Sequence, residues 1–441
     1  MKKTLLLTSL VASMVAMAGT TGSVEAYNEN EATFVKNENP KFVAKKTGVK
    51  TEVKVEGTGF SFGGDFKAED LELSKADKKA DFLDHSKVWA KYELPEIKGV
   101  KSYVQAKVEP KFIGADKGSA ELEGQASYKY DVLTFGLNSK TNFPFVKSAT
   151  NNDNYGKEVK STHKLFVESE EKKDVFVKGL KDVKVNVEVK HNYAKTVKKA
   201  GDRVDYVSGE VSAKYDAVKD LELEGKVAFK KNISAEKIGD YEVLGTKLFE
   251  EGPARYIHSY ELKGTYKGVK HLTLSAKPFV AHVHINDNKD QILYGTELVT
   301  EYKMLNDKLT LTGKSLLAGN TDKTSFVTKA GEKESTIVTK GYFVFDANAK
   351  YDYSVTDKFT VSPEANANLL LVVSKGINGT ATKPELTLTP KVSAEYKATD
   401  TLTLKGSVEA PVKFEVNTTS KKFEYKQTQL KTSLNLKYEW K

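Results

Sequence analysis

Leu430-Lys431-Thr432-Ser433-Leu434-Asn435-Leu436-Lys437-Tyr438-Glu439-Trp440-Lys441 reads as one strand with two unlike faces. Leu430, Thr432, Leu434, Leu436, Tyr438 and Trp440 share one side, and Lys431, Ser433, Asn435, Lys437, Glu439 and Lys441 share the other. A strand reverses its side chains at every residue, so one apolar face is backed by one strongly hydrated face. Upstream, residues 401–416 repeat the pattern for longer. Leu402, Leu404, Gly406, Val408, Ala410, Val412, Phe414 and Val416 alternate with partners that include Lys405, Glu409, Lys413 and Glu415. Strands of soluble proteins run to about five or six residues. Sixteen in strict alternation suit a tilted strand that crosses a bilayer.

The start of the chain points the same way. Met1-Lys2-Lys3 followed by an apolar run from Leu5 to Ala18 reads as an export signal. Val24-Glu25-Ala26 offers a small-x-small cleavage site, giving a signal over 1–26, and Ala16-Met17-Ala18 is an earlier alternative. There is no cysteine, so disulfides, thiolate metal sites and a lipid-modified cysteine are excluded.

Beyond the signal, no apolar stretch reaches the roughly 20 residues of a helical span. Mean hydropathy is −0.48 and 29% of residues are charged. Only alternate strand residues meet lipid in a barrel, so such polarity is compatible with insertion. The net charge of +9 comes from lysines interleaved with acids. No basic stripe with interspersed aromatics appears, so nucleic acid is not an expected partner.

A recurring unit sets the strand count. A strand ends in tyrosine, a few polar residues follow, and a new strand begins as Leu-Thr-Leu or a relative. Tyr128, Tyr215, Tyr266, Tyr302, Tyr351 and Tyr396 each head such a unit, with degenerate copies at 92–100 and 176–183. The eight copies stand 36 to 51 residues apart, a period for two long strands, one tight turn and one long loop. Loop composition recurs at 149–157, 198–202, 286–289, 320–333 and 375–381.

Eight short turns join sixteen strands, and a first strand near 49–62 with the last near 423–440 makes eighteen, with sixteen or twenty as alternatives. The expected architecture is all-β, a transmembrane antiparallel barrel over 49–441, with 27–48 as a flexible periplasmic lead. In lipid an open sheet edge is not allowed, so the first strand must join the last.

Facing follows from cost. A lysine at the bilayer midplane on the lipid side costs about 2 to 4 kcal/mol, so the charged faces must line the lumen. Lys184, Glu188, Lys190, Lys405, Glu409, Lys413 and Glu415 are therefore expected to face inward. Tyr128, Tyr215, Tyr266, Tyr302, Tyr351, Tyr396, Tyr438 and Trp440 form the expected aromatic girdle, because rings with a polar tip prefer the headgroup level. A ring of about eighteen strands is too wide for side chains to fill, so it should hold water or a folded-in loop, with 149–157 as the candidate.

Catalytic signals are weak. His282-Val283-His284 puts two imidazoles on one strand face about 6.5 to 7 Å apart, a poor metal site alone. His85, His163, His191, His258 and His271 are scattered. No spacing brings a serine to a histidine as a hydrolase requires, Ser161-Thr162-His163 being the nearest approach. No catalytic residue, metal or cofactor is expected.

In this architecture the chain resembles the porin class of Gram-negative outer-membrane β-barrels over about 49–441. The resemblance implies an outer-membrane location among lipid and lipopolysaccharide, insertion by the barrel-assembly machinery, passive diffusion of small hydrophilic solutes and ions, and often a homotrimer. Lys441 after the aromatic Trp440 departs from the usual terminus of the class. The alternative is a surface barrel whose external loops act as adhesin or receptor.

Overall fold

The computed structural model describes residues 20–56, 59–68, 87–109, 118–144, 159–192, 206–233, 241–243, 246–249, 256–286, 289–321, 339–374, 384–417 and 419–440. The earlier cleavage alternative at 16–18, most of the export segment and the loop stretches 149–157, 198–202, 322–333 and 375–381 lie outside them, as does His85. All regular structure among the described residues is strand. In order these are β1 (Thr20–Val35), β2 (Lys41–Glu56), β3 (Phe60–Ala68), β4 (Lys87–Ile97), β5 (Val100–Glu109), β6 (Ser119–Tyr130), β7 (Leu133–Pro144) and β8 (Lys160–Ser169). Then come β9 (Leu180–Asn192), β10 (Tyr206–Val218), β11 (Leu221–Asn232), β12 (Tyr241–Val243), β13 (Thr246–Phe249), β14 (Tyr256–Val269), β15 (Leu272–Asn286) and β16 (Lys289–Met304). The last are β17 (Leu309–Asn320), β18 (Thr339–Tyr351), β19 (Tyr353–Thr356), β20 (Phe359–Ser374), β21 (Glu385–Lys397), β22 (Leu402–Glu409), β23 (Val412–Val416) and β24 (Phe423–Trp440).

Successive strands around the ring pair antiparallel, and β1 pairs with β24, so the sheet closes. β18 with β19, and β22 with β23, are interrupted halves of single staves: both halves pair with the same neighbour. β12 and β13 form a separate hairpin between β11 and β14. The ring has twenty staves.

Twenty exceeds the principal expectation of eighteen for a local reason. Residues 49–62, read as one strand, contain a turn: β2 ends at Glu56, Gly59 sits at φ +72, and β3 starts at Phe60. The Gly-Thr-Gly of that turn lies between two alternating runs, so the sequence pattern does not mark it. Residues 27–48, expected as a flexible lead, instead form the end of β1 (27–35), a short connection and the start of β2 (41–48). There the apolar-side row of β1 carries Asn28 and Asn30, so alternation fades although the ladder is complete.

Nine short connections, at 57–59, 98–99, 131–132, 170–179, 219–220, 270–271, 305–308, 357–358 and 398–401, lie at one end of the ring. One of the two-residue connections joins β4 to β5 through Lys98 (φ 50) and Gly99 (φ 81). Left-handed residues at both central positions match the twist of the flanking strands. At the other end, 286–289 is not a long loop: β15 and β16 stay paired to Asn286↔Lys289.

Strands spaced about 4.8 Å apart and tilted about 40° give a circular twenty-stave ring a backbone diameter of about 40 Å. The two wall faces differ sharply. Leu317 is 58% exposed while its neighbour Leu316 is 0%. Leu122, Leu165, Tyr260, Leu262, Val392 and Leu434 are exposed like Leu317, all on the apolar side of their strands. Exposed apolar side chains in such a continuous band belong against hydrocarbon. Around β15 to β17 the opposite face is apolar too. Phe279, Ala281, Val283, Leu293, Leu316 and Ala318 are buried there, so this arc of the inner wall is closed off from solvent.

Candidate functional site: the charged inner wall

The charged residues of neighbouring staves fall on the same rungs because directly opposed residues of an antiparallel pair face the same side of the sheet. Lys405 Nζ lies 3.0 Å from Glu395, Lys431 Nζ 3.0 Å from Glu409, and Lys426 Nζ 2.9 Å from Glu415. Lys413 Nζ sits 2.5 Å from Glu385 and 3.9 Å from Glu415. Lys277 stands between Glu261 (3.2 Å) and Glu297 (4.0 Å), just below the buried apolar arc. Glu121 accepts Lys140 at 2.8 Å, and Glu123 accepts the Tyr103 hydroxyl and the Asn138 amide at 2.7 Å each. Opposite charges directly across a strand pair support register as well as wetting the wall.

The sequence-named inner residues take the following places. Lys184, Glu188 and Lys190 lie on the charged face of β9, in register with Ser212, Ser208 and Tyr206. The Tyr206 hydroxyl donates to Glu188 at 3.3 Å. Its ring lies under two ammonium groups, with Lys190 Nζ 5.5 Å and Lys230 Nζ 4.2 Å from the centroid. A cation over a phenol face is held by the ring quadrupole. Lys405, Glu409, Lys413 and Glu415 lie on the charged face of β22 and β23 in the pairs given above. The sequence did not single out Tyr206, whose aromatic signal is shared by the girdle tyrosines; only its parity distinguishes it.

On the apolar face, Tyr128, Tyr215, Tyr266, Tyr302 and Tyr396 stand exposed at the short-connection end, and Tyr438 stands beside Val24 and Leu402. Tyr351 closes β18, 6.4 Å from the ring of Tyr353. Trp440 differs. It is 9% exposed, with its indole stacked 6.2 Å from Tyr438 and lying over Gly22 of β1.

Register also creates two polar groups on the apolar face that sequence spacing did not show. Ser139 Oγ lies 2.9 Å from His163 Nδ1, and Thr141 Oγ1 2.9 Å from Ser161 Oγ. Paired in this way, polar atoms meet lipid with their hydrogen bonds made. At the long-loop end, Tyr256 stacks on His284 at 4.5 Å, and His258 stacks on His282 at 6.3 Å. Asp290 joins this group, pairing with His284 and lying 3.4 Å from His282 Nε2. Among the described residues no three His, Asp or Glu side chains are arranged to hold a metal ion.

In the short connections, Glu170 is held by the ammonium groups of Lys129 and Lys173. Lys129 first and Lys173 second keep its carboxyl below the usual carboxylate range.

No protein-family model matches the chain, and no curated protein sequence does. Among solved structures, the siderophore receptor PirA from Pseudomonas aeruginosa aligns with a TM-score of 0.51 at 9% identity, over 96% of this chain and 80% of the receptor. The ferric yersiniabactin uptake receptor FyuA from Yersinia pestis gives 0.49 at 10% identity, over 95% and 80%. OccAB2 from Acinetobacter baumannii gives 0.43 at 9%, over 96% and 98%. The likeness is one of fold, and it agrees with the closed ring and its apolar exterior. The chain has the closed antiparallel β-barrel fold of outer-membrane proteins. Its contact with lipid follows from that wall.

Proposed function

We propose that this barrel is a porin-like channel for passive diffusion of small hydrophilic solutes and ions. The observation that supports it is the inner wall: a closed ring about 40 Å across whose inward face is laced with Lys–Glu pairs. A lumen of that width, lined by both signs of charge, holds water and passes solutes according to local field and size. Lys184, Glu188, Lys190, Lys405, Glu409, Lys413 and Glu415 act in this reading as wetting and field-setting groups. The tyrosines at the short-connection end anchor the periplasmic interface. The solvated route runs beside the charged arcs, away from the buried patch on β15 to β17. On the same reading the chain is inserted by the barrel-assembly machinery and functions as a homotrimer.

Planar-bilayer recording of the folded protein tests the proposal. Stepwise current increments are expected. A protein that is heat-modifiable on SDS gels, hence folded, yet gives no steps would favour a surface barrel that works as receptor or adhesin through its external loops.

A further inference from the structure

The imidazole cluster on β14 and β15 stands directly above a groove in the apolar wall. Three successive rungs on this side read Lys231–Tyr256–His284–Asp290, then Phe229–His258–His282–Ile292, then Val227–Tyr260–Val280–Tyr294. Below them a depression of about 900 Å³ opens, bordered by Val227, Tyr260, Leu262, Val280 and Leu317, with Gly225 in its floor. A Cβ on Gly225 would meet nothing within 4 Å. The floor is therefore low because the side chain is missing there, and the surrounding rings and leucines form the walls.

Height gives this arrangement its meaning. A strand tilted about 40° climbs about 2.6 Å per residue along the barrel axis. Counted from Leu272 at the periplasmic rim, Val280 stands about 21 Å up, His282 about 26 Å and His284 about 31 Å. The apolar band of such barrels is about 25 Å tall. The groove thus lies in the outer-leaflet hydrocarbon, while His258, His282, His284, Tyr256 and Lys231 lie at headgroup level. Against the ammonium and three imidazoles, the three described rungs hold one carboxylate, Asp290, already engaged by His282 and His284.

We infer that this face binds one molecule of a phosphorylated lipid of the outer leaflet, of the lipopolysaccharide type. An acyl chain fills the groove over Gly225. A phosphate takes hydrogen bonds from the imidazoles of His258 and His282 and from Lys231, with the Tyr256 hydroxyl available to the sugar. The inference rests on the barrel's place in the outer membrane and not on conduction, because every residue named is on the lipid side of the wall.

Native mass spectrometry of the detergent-solubilised barrel with added bis-phosphorylated lipid A tests it. The arms are fully dephosphorylated lipid A and phosphatidylglycerol. Retention of one bis-phosphorylated lipid per barrel is expected, with both arms weaker by about tenfold, the worth of one charge-assisted contact. His258→Ala with His282→Ala should weaken retention by a similar factor. Gly225→Leu, which fills open space, should displace the acyl chain. Bilayer conductance and heat-modifiable mobility of these variants should stay as in the parent, which separates this inference from the channel proposal. Equal retention of the dephosphorylated lipid or of phosphatidylglycerol, or unchanged retention in folded variants, would overturn it.

Discussion

Trp440 on β24 lies over Gly22 on β1, and the two are register partners in the seam that closes the ring. A Cβ placed on Gly22 would come 2.5 Å from Trp440 Cζ2 and would also press on the Glu52 carbonyl of β2. Gly22→Val should therefore destabilise the barrel by about 1 to 3 kcal/mol, the cost of overpacking. The expected readout is a lower midpoint in a urea titration followed by gel mobility, with Gly225→Val, which has open space, as the unaffected control.

The same seam discriminates between the cleavage sites. Cutting before Tyr27 would remove Gly22 through Ala26, leaving Leu436, Tyr438 and Trp440 without ladder partners on that side. Unpaired backbone groups there would cost several kcal/mol each in lipid. The mature protein is expected to begin at Gly19, after Ala18. Intact mass of the protein extracted from membranes checks this; a mass for a chain starting at Tyr27 would contradict it.

Lys277 separates two carboxylates. Lys277→Ala takes away the ammonium between Glu261 and Glu297 in a half-buried part of the wall. A loss of about 1 to 3 kcal/mol in folding stability is expected, since a charge stripped of its partner costs more than the pair contributed. In the channel reading, the reversal potential under a salt gradient should also move toward cation preference.

On the lipid side, Ser139 and His163 supply each other's hydrogen bond. Ser139→Ala alone should cost about 1 to 2 kcal/mol by leaving an imidazole nitrogen unmet, whereas Ser139→Ala with His163→Leu should be close to neutral. A double-mutant cycle on unfolding midpoints measures the difference. Additive single effects would show that the contact contributes nothing.

Glu170 gives a pH dependence of known sign. Its folded carboxyl titrates below its ordinary value because Lys129 and Lys173 sit on it. The pairing therefore adds stability above the ordinary carboxylate range, and this is lost as pH falls through the depressed folded value. Relative to the intrinsic exchange rate at each pH, amide protection in the 170–179 connection should fall on acidification in the parent, and should be low and less pH-dependent in Glu170→Gln.

Much of the ring was legible because lipid imposes a period-two code. All eight turns read from the tyrosine repeat are connections between staves, and they lie together at one end. The code failed where its contrast faded. β1 places Asn28 and Asn30 in its apolar-side row, and the β2–β3 turn hides between two alternating runs, so two staves went uncounted. The features of the wall were harder for another reason. Periodicity assigns a residue to a face but not to a rung. His258 meets His282, and Ser139 meets His163, only through a register that loop lengths and bulges decide. Leu316 and Phe279 likewise sit on a face that elsewhere is charged, and no local pattern marks that change.

Asn435 bonds to Glu25 across 410 positions of chain. In the export reading the N-terminal strand arrives first and its partner β24 last, so the ring closes only when β24 is delivered. Until Trp440 has crossed the inner membrane, β1 keeps a bare hydrogen-bonding edge that would template aggregation. In that reading β1 needs escort through the periplasm, and loss of a few C-terminal residues should lower the yield of folded barrel before it reaches the bilayer.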